Sequence, residues 1–195
     1  MPDETRGPRE RMVYSAAQLM RTQGPAATGV REVVERAGAP RGSFQHYFPA
    51  GKDQLVGEAL LWSGDFAARW VANYPRTTSN PTPGGLFTHM VKFWKDEFTA
   101  RGYARGCPIM ATTADLAGSE SAANEQLRTA LDQWEGAVID ELVRMTVPRR
   151  RARRLATLMI STLEGAVMSA RVRHEATPLT TVVAELTPAL NAAVD

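Results

Sequence analysis

Cysteine is nearly missing from this chain of 195 residues: Cys107 stands alone. That excludes a disulfide framework and any multi-cysteine zinc or iron–sulfur site. Histidine is scarce as well. The three present, His46, His89 and His174, lie too far apart in sequence to suggest a metal cluster. No uninterrupted apolar run approaches the roughly 18 residues that a membrane span needs. The N-terminal MPDETRGPRERM carries charge with no apolar segment behind it, unlike a signal peptide. A Gly-rich phosphate loop is also lacking. The expectation is a soluble, cytoplasmic chain with no cofactor and no metal.

What remains is ordinary globular composition, 44% hydrophobic and 23% charged, enough for one sizeable core or a small domain beside a larger one. Net charge is only +2, but it is unevenly spread. Residues 1–52 carry eight Lys/Arg against five Asp/Glu, residues 53–146 eight against twelve, and residues 147–174 seven against one. A basic front end on an acidic middle suggests polyanion contact at one end only.

Apolar spacing is helical nearly throughout, with no convincing alternating strand. Val13, Ala16, Ala17 and Met20 share one face of a helix over 10–23, which Gly24 and Pro25 end. Val30, Val33, Val34 and Ala37 form the next stripe, with Thr28 placed to cap its start and Gly38 to stop it. A third short helix is expected over 40–47, and a long one from Lys52 to Tyr74. The Pro/Gly/Ser/Thr stretch 75–85 reads as a linker. Further helices are expected over about 85–101, 108–117, 120–146, 149–175 and 179–194. The fold class is therefore all-α, with about nine helices. The last two are apolar around more than one face, and a helix with two apolar faces must bury both. That favours a homodimer through these two helices, over a monomer that buries both faces internally.

Segment 28–52, TGVREVVERAGAPRGSFQHYFPAGK, places a short amphipathic helix, a Gly-containing turn and a second short helix in series. That is the form of a DNA-reading helix-turn-helix, although helix pairs of this shape also serve as plain packing units. In the second helix Phe44 and Phe48 would lock onto the bundle. Arg41, Ser43, Gln45, His46 and Tyr47 would remain outside, where Gln suits adenine and Arg suits guanine.

These residues carry a resemblance. Gly24, Thr28, Val30, Val33, Ala37, Gly38, Gly42, Ser43, Phe44, Tyr47, Phe48 and Lys52 follow, in order and spacing, a pattern that resembles the DNA-binding domain of the TetR family of bacterial transcriptional repressors. The Gly106-Cys107-Pro108 turn is similar to that of the LmrA/YxaF-like subgroup. The resemblance implies a three-helix helix-turn-helix DNA-binding domain over 1–51 and a helical ligand-binding and dimerisation domain over 52–195. It implies an operator contact through Thr28, Arg41, Gly42, Ser43, Gln45, His46, Tyr47 and Lys52, with Thr28 and Lys52 on phosphates. Two positions depart from the family: Gln45 stands where Tyr is usual, and Tyr47 where His is usual. One extra residue also sits in Pro49-Ala50-Gly51. The resemblance further implies a pocket in the second domain for a small apolar effector. Trp62, Phe66, Met90, Trp94, Phe98, Met110, Trp134, Met159 and Leu163 are the candidate lining, with Thr113, Thr162 and Glu164 as polar anchors. Aromatic and Met stripes at helical spacing are more often plain core.

Arg6, Arg9 and Arg11 could form an arm reaching a minor groove, though a solvated tail is the commoner outcome. The run 148–154, PRRRARR, opposes the dipole of the helix it opens and has no assigned role. Catalysis finds little support. His89 and His174 have no triad partners, and Asp96 and Glu97 are adjacent and so face apart on a helix. Cys107 reads as a small buried hydrophobe. The expected function is a ligand-responsive repressor rather than an enzyme. The alternative is a helical small-molecule carrier or enzyme with a vestigial DNA-binding domain.

Overall fold

The computed structural model describes residues 7–116 and 121–194. Among the described residues there are nine α-helices and no strand. They are α1 (Pro8–Ala27), α2 (Val30–Arg36), α3 (Phe44–Tyr47), α4 (Lys52–Ala72), α5 (Pro83–Arg101), α6 (Pro108–Leu116), α7 (Ala122–Arg144), α8 (Arg149–Arg173) and α9 (Thr177–Asn191).

Several boundaries differ from the sequence expectation, each for a local reason. Gly24 adopts φ 73° and ψ 171°, which only glycine tolerates without strain, so the helix breaks there as expected. The chain then takes one more turn through Pro25 to Ala27. Thr28 does not cap α2; Gly29 holds that position and no side chain caps it. Gly38, at φ 57°, turns the chain out of α2. The third helix is only Phe44–Tyr47. Residues before it form a turn in which the Pro40 carbonyl accepts from the Ser43 N–H at 3.0 Å and the Ser43 hydroxyl at 2.7 Å. The serine thereby competes with helix bonding, as short hydroxyl side chains do. The expected linker is partly ordered: Tyr74–Arg76 is a 3₁₀ turn, and Thr82 caps α5 by accepting from the Gly85 N–H. Pro178 lies in the first turn of α9 rather than before it.

The chain packs as two compact units, Met1–Asp65 with Cys107–Asp132, and Phe66–Gly106 with Gln133–Asp195. The division falls inside α4 and inside α7, and it assigns α6 to the N-terminal unit because α6 packs against α1. In that unit Met12, Met20, Phe48, Leu55 and Leu60 are fully buried, each stabilising the fold by about 1.5–3 kcal/mol. Gly57 lets α4 approach α7: a Cβ there would lie 1.8 Å from Gln126 Oε1.

In the second unit α9 packs on α5 and α8. The approach is close at Gly84, where a Cβ would meet Thr187 Cγ2 at 2.6 Å and its carbonyl oxygen at 2.9 Å. The Gly84 N–H donates to Asn191 Oδ1 at 2.8 Å. Aromatic rings run through this unit, with Trp70 stacked on His89 at 4.8 Å and Phe93 edge-on to Phe66 at 5.6 Å. Helix α8 is long and apolar enough, by length and composition, to cross a membrane, with half of that window buried inside the protein. One of its faces, through Leu155, Met159, Leu163 and Val167, belongs to the core. Its opposite face leaves Leu158, Met168 and Val172 exposed, at 45%, 62% and 82%.

Glu141 on α7 is buried in this unit and paired with Arg144 one turn on. Burial pushes its carboxyl above the ordinary carboxylate range, the Arg144 charge opposing and Asp140 adding to the rise. A raised folded-state value means stability that is full below the unfolded carboxylate range and lost as pH rises through the folded one. Glu141→Gln should therefore unfold at higher urea than the native chain at pH 7.5. That advantage should narrow as pH falls toward 4.5, read from urea midpoints at each pH.

Candidate nucleic-acid interface

The first unit presents a small polar edge on a rigid base. Phe48 is fully buried and stacks on Phe44 at 5.3 Å, which fixes α3 by apolar contact despite its single turn. Arg41, Gly42, Gln45 and His46 are exposed; Ser43 and Tyr47 are half-buried. His46 and Tyr47 lie edge to face at 5.0 Å. Gln45 Nε2 donates to the Pro49 carbonyl at 3.1 Å, and Gln54 Oε1 accepts from the Ala50 N–H at 3.1 Å. Two glutamines thus close the Pro49-Ala50-Gly51 loop from both sides, which accommodates its extra residue.

The corner between α1 and α2 is held by long-range contacts. The Ala26 N–H, freed by the break at Gly24, donates to Asp115 Oδ2 on α6 at 3.1 Å. The Ala26 carbonyl accepts from Lys52 Nζ at 2.8 Å. One peptide residue is thereby gripped by the end of α6 and the start of α4. Thr28 is buried, at 2%, and its hydroxyl donates to the Gly24 carbonyl at 2.7 Å, so the side chain ties down the end of α1 instead of standing free in solvent. Lys52 keeps two further N–H donors.

The arginines of the N-terminal stretch are occupied where described. Arg9 Nη2 pairs with Glu58 Oε1 at 2.7 Å and its guanidinium lies 5.6 Å from the Phe48 ring centroid. Arg11 Nε donates to the Ala37 carbonyl at 2.8 Å and Nη2 to the Gly38 carbonyl at 3.4 Å. A cation there meets the negative end of α2 and satisfies its last carbonyls. Both residues therefore fasten the unit together rather than forming a free arm; Arg6 lies outside the described residues. The run at the start of α8 is exposed at Arg149, Arg150, Arg151, Arg153 and Arg154, with Arg149 3.6 Å from Asp140.

The candidate effector residues divide between the units. Trp62, Met110 and Thr113 belong to the first. Trp62 is half-buried, edge to face with Tyr14 at 5.3 Å, and Met110 is half-buried. Thr113 is exposed, its hydroxyl donating to the Ile109 carbonyl one turn back. In the second unit Met90, Trp94, Phe98, Trp134, Met159, Leu163 and Glu164 are buried, while Phe66 and Thr162 are half-buried. Trp94 and Phe98 touch at 5.8 Å. Asp115 and Ala26 have no counterpart among the residues singled out from the sequence. Only Asp115 left a signal: an acid near the end of a helix, where the dipole disfavours it.

A short helix presented on a clamped three-helix corner has the form of a helix-turn-helix, and known proteins share it. Residues 14–59 match the family model for the tetR family of bacterial regulatory proteins, and residues 83–185 match the C-terminal domain of LmrA/YxaF-like transcriptional regulators. The chain is 36% identical over 188 residues to an uncharacterized HTH-type transcriptional regulator of Mycobacterium tuberculosis, Rv0196, covering 92% of each. It is 31% identical to YxaF of Bacillus subtilis, covering 93% of this chain and 94% of that one. A TetR transcriptional regulator from Chloroflexus aurantiacus has the same fold, with a TM-score of 0.71, 25% identity and coverage of 93% and 92%. The chain belongs to the TetR family of transcriptional regulators, in its LmrA/YxaF-like branch. Such regulators bind DNA and small-molecule effectors and act as dimers.

Arg11→Ala removes two carbonyl contacts at the end of α2. Loss of such charge-assisted bonds should cost about 1.5–3 kcal/mol, at the low end here because the site is partly exposed. Thermal unfolding of the variant measures it.

Proposed function

We propose that this regulator is a cytoplasmic, dimeric repressor released from a near-palindromic operator by a small, largely apolar effector. The observation that carries this reading is the exposed set Arg41, Gly42, Gln45 and His46, flanked by half-buried Ser43 and Tyr47, on a unit whose corner is gripped at Ala26. Rigid presentation is what base reading needs, because register must hold to within a fraction of a base step. Gln45 keeps a second amide N–H and its carbonyl oxygen for an adenine edge. Lys52, at the first turn of α4, adds its ammonium to the helix dipole for a phosphate.

Dimerisation follows from α8. Leu158, Ser161, Gly165, Met168 and Val172 recur at alternating steps of three and four, an apolar seam with two small residues that permit close approach. A second copy of the chain, related by a twofold axis, covers such a seam on both protomers. Two reading helices would then meet successive major grooves about 34–36 Å apart. Buried Met90, Trp94, Phe98, Met159 and Leu163, with Thr162 beside them, support an apolar effector site in the second unit; Met side chains adapt to varied ligands. Such an effector releases DNA only by binding the non-reading state more tightly.

Selection of bound duplexes from a random pool, followed by sequencing, tests the reading. Recovery of a near-palindrome with half-sites one helical turn apart, or a multiple of it, is expected; sequence-indifferent recovery overturns it. On the selected duplex, Gln45→Ala should cost roughly 1–3 kcal/mol at one base position and relax preference there, measured by titration against single-base variants. Uniform weakening would make Gln45 a backbone contact. Met168→Glu should convert the dimer to monomer in sedimentation velocity at micromolar concentration and abolish specific binding.

A further inference from the structure

Two glutamines hold opposite edges of a single peptide group. The Pro49 carbonyl accepts from Gln45 Nε2 and the Ala50 N–H donates to Gln54 Oε1, each at 3.1 Å. That carbonyl and that N–H belong to the same planar unit, and in a trans peptide they point in opposite directions. The plane therefore cannot turn at one glutamine without turning at the other. The next peptide is also held: the Gly51 N–H donates to the Phe48 carbonyl at 2.9 Å, with Gly51 at φ 80°.

Gln54 is itself anchored. Its Nε2 donates to Glu58 Oε1 one turn along α4 at 3.0 Å, and the same oxygen accepts from Arg9 Nη2 of α1 at 2.7 Å. With its nitrogen end committed to a carboxylate, the Gln54 amide turns its oxygen to Ala50. A polar relay thus runs from α1 through the first turns of α4 to the loop and ends on α3, inside one compact unit. Hydrogen bonds in such a chain polarise one another. All but the Gln54–Glu58 bond are exposed, so the relay orders the loop more than it stabilises the fold.

The end of that relay is the Gln45 side chain. Spending one amide N–H on Pro49 fixes which end of the amide is nitrogen. An adenine edge offers a donor beside an acceptor, so a bidentate amide must present oxygen and N–H in matching order. An amide that turns freely tolerates more than one base; one held in place favours a single order. We propose that Gln54 is a positioning residue for base reading: through the Pro49–Ala50 peptide it holds the Gln45 amide in one orientation and so sets the preference at the base pair that Gln45 meets. The inference rests on the reading of Gln45 as a base contact, and it makes a residue of α4 a determinant of specificity through another side chain.

Gln54→Met keeps the length of the side chain and removes both amide bonds, so helix content and sedimentation should stay unchanged. In the free protein the Gln45 side-chain amide resonances, identified by their loss in Gln45→Ala, should move toward those of a solvated amide. Exchange of the Ala50 N–H should quicken about tenfold. On the duplex recovered from the random pool, preference at the base pair that Gln45→Ala relaxes should fall about threefold to tenfold, with other pairs held within about twofold. Gln54→Glu still offers an oxygen to Ala50 and should retain most of that preference. Added to Gln45→Ala, Gln54→Met should change preference there by less than about twofold, because the side chain it orients is gone. Unmoved Gln45 resonances in Gln54→Met overturn the proposal, as do uniform weakening across base pairs and fully additive losses in the double variant. A Gln45→Ala variant that relaxes no base pair also overturns it, and leaves the repressor reading standing. A pool with no sequence preference for the native chain sinks the repressor reading, while the resonances and exchange still decide whether Gln54 holds the Gln45 amide.

Discussion

The structure turns on one peptide residue. Ala26 has a helix break before it, a buried threonine two residues after it, and distant side chains on both of its polar groups. Asp115 takes the N–H and Lys52 supplies the carbonyl with a cation. The break is dictated by Gly24, whose positive φ ends α1 and frees the N–H that Asp115 accepts. Both are exposed bonds to a charged partner, and exposure holds each near the low end of the range for such bonds, about 1.5 kcal/mol net. Their value is geometric: they hold Ala26, between α1 and α2, to α6 and to the start of α4.

Much of this fold was legible in the sequence, because helices advertise themselves through apolar period. Gly24, Gly38 and the Phe44/Phe48 pair were readable for what they do, since backbone freedom and apolar spacing are local properties. The limits of α3 were not, because the Ser43 hydroxyl and backbone compete for the Pro40 carbonyl, a choice that spacing does not reveal. The division of the chain into units was equally hidden: α6 packs on α1 across some eighty intervening residues, and only tertiary contact could show it. The same holds for Arg11 and Arg9. As a charge run they resembled a loose arm, whereas each closes a specific contact within the unit.

Close approach is the recurring device. Gly57, Gly84 and Gly106 each stand where a methyl group would collide with a neighbour, respectively Gln126, Thr187 and Arg171. At Gly84 the neighbours include the Thr187 backbone carbonyl, and overpacking there costs typically about 1–3 kcal/mol. Two of these glycines, Gly57 and Gly106, seat a polar side chain against bare backbone. The apolar seam of α8 is the complementary case, a face that the protomer alone leaves in water. In the proposed dimer a second copy of the chain is its counterpart.

Hydroxyl-radical footprinting on the selected duplex tests this account most directly. Two protected patches on one face of the DNA, centred one helical turn or a whole multiple of turns apart, are what two clamped corners on a twofold axis produce. A single patch, or protection with no helical phase, would contradict it.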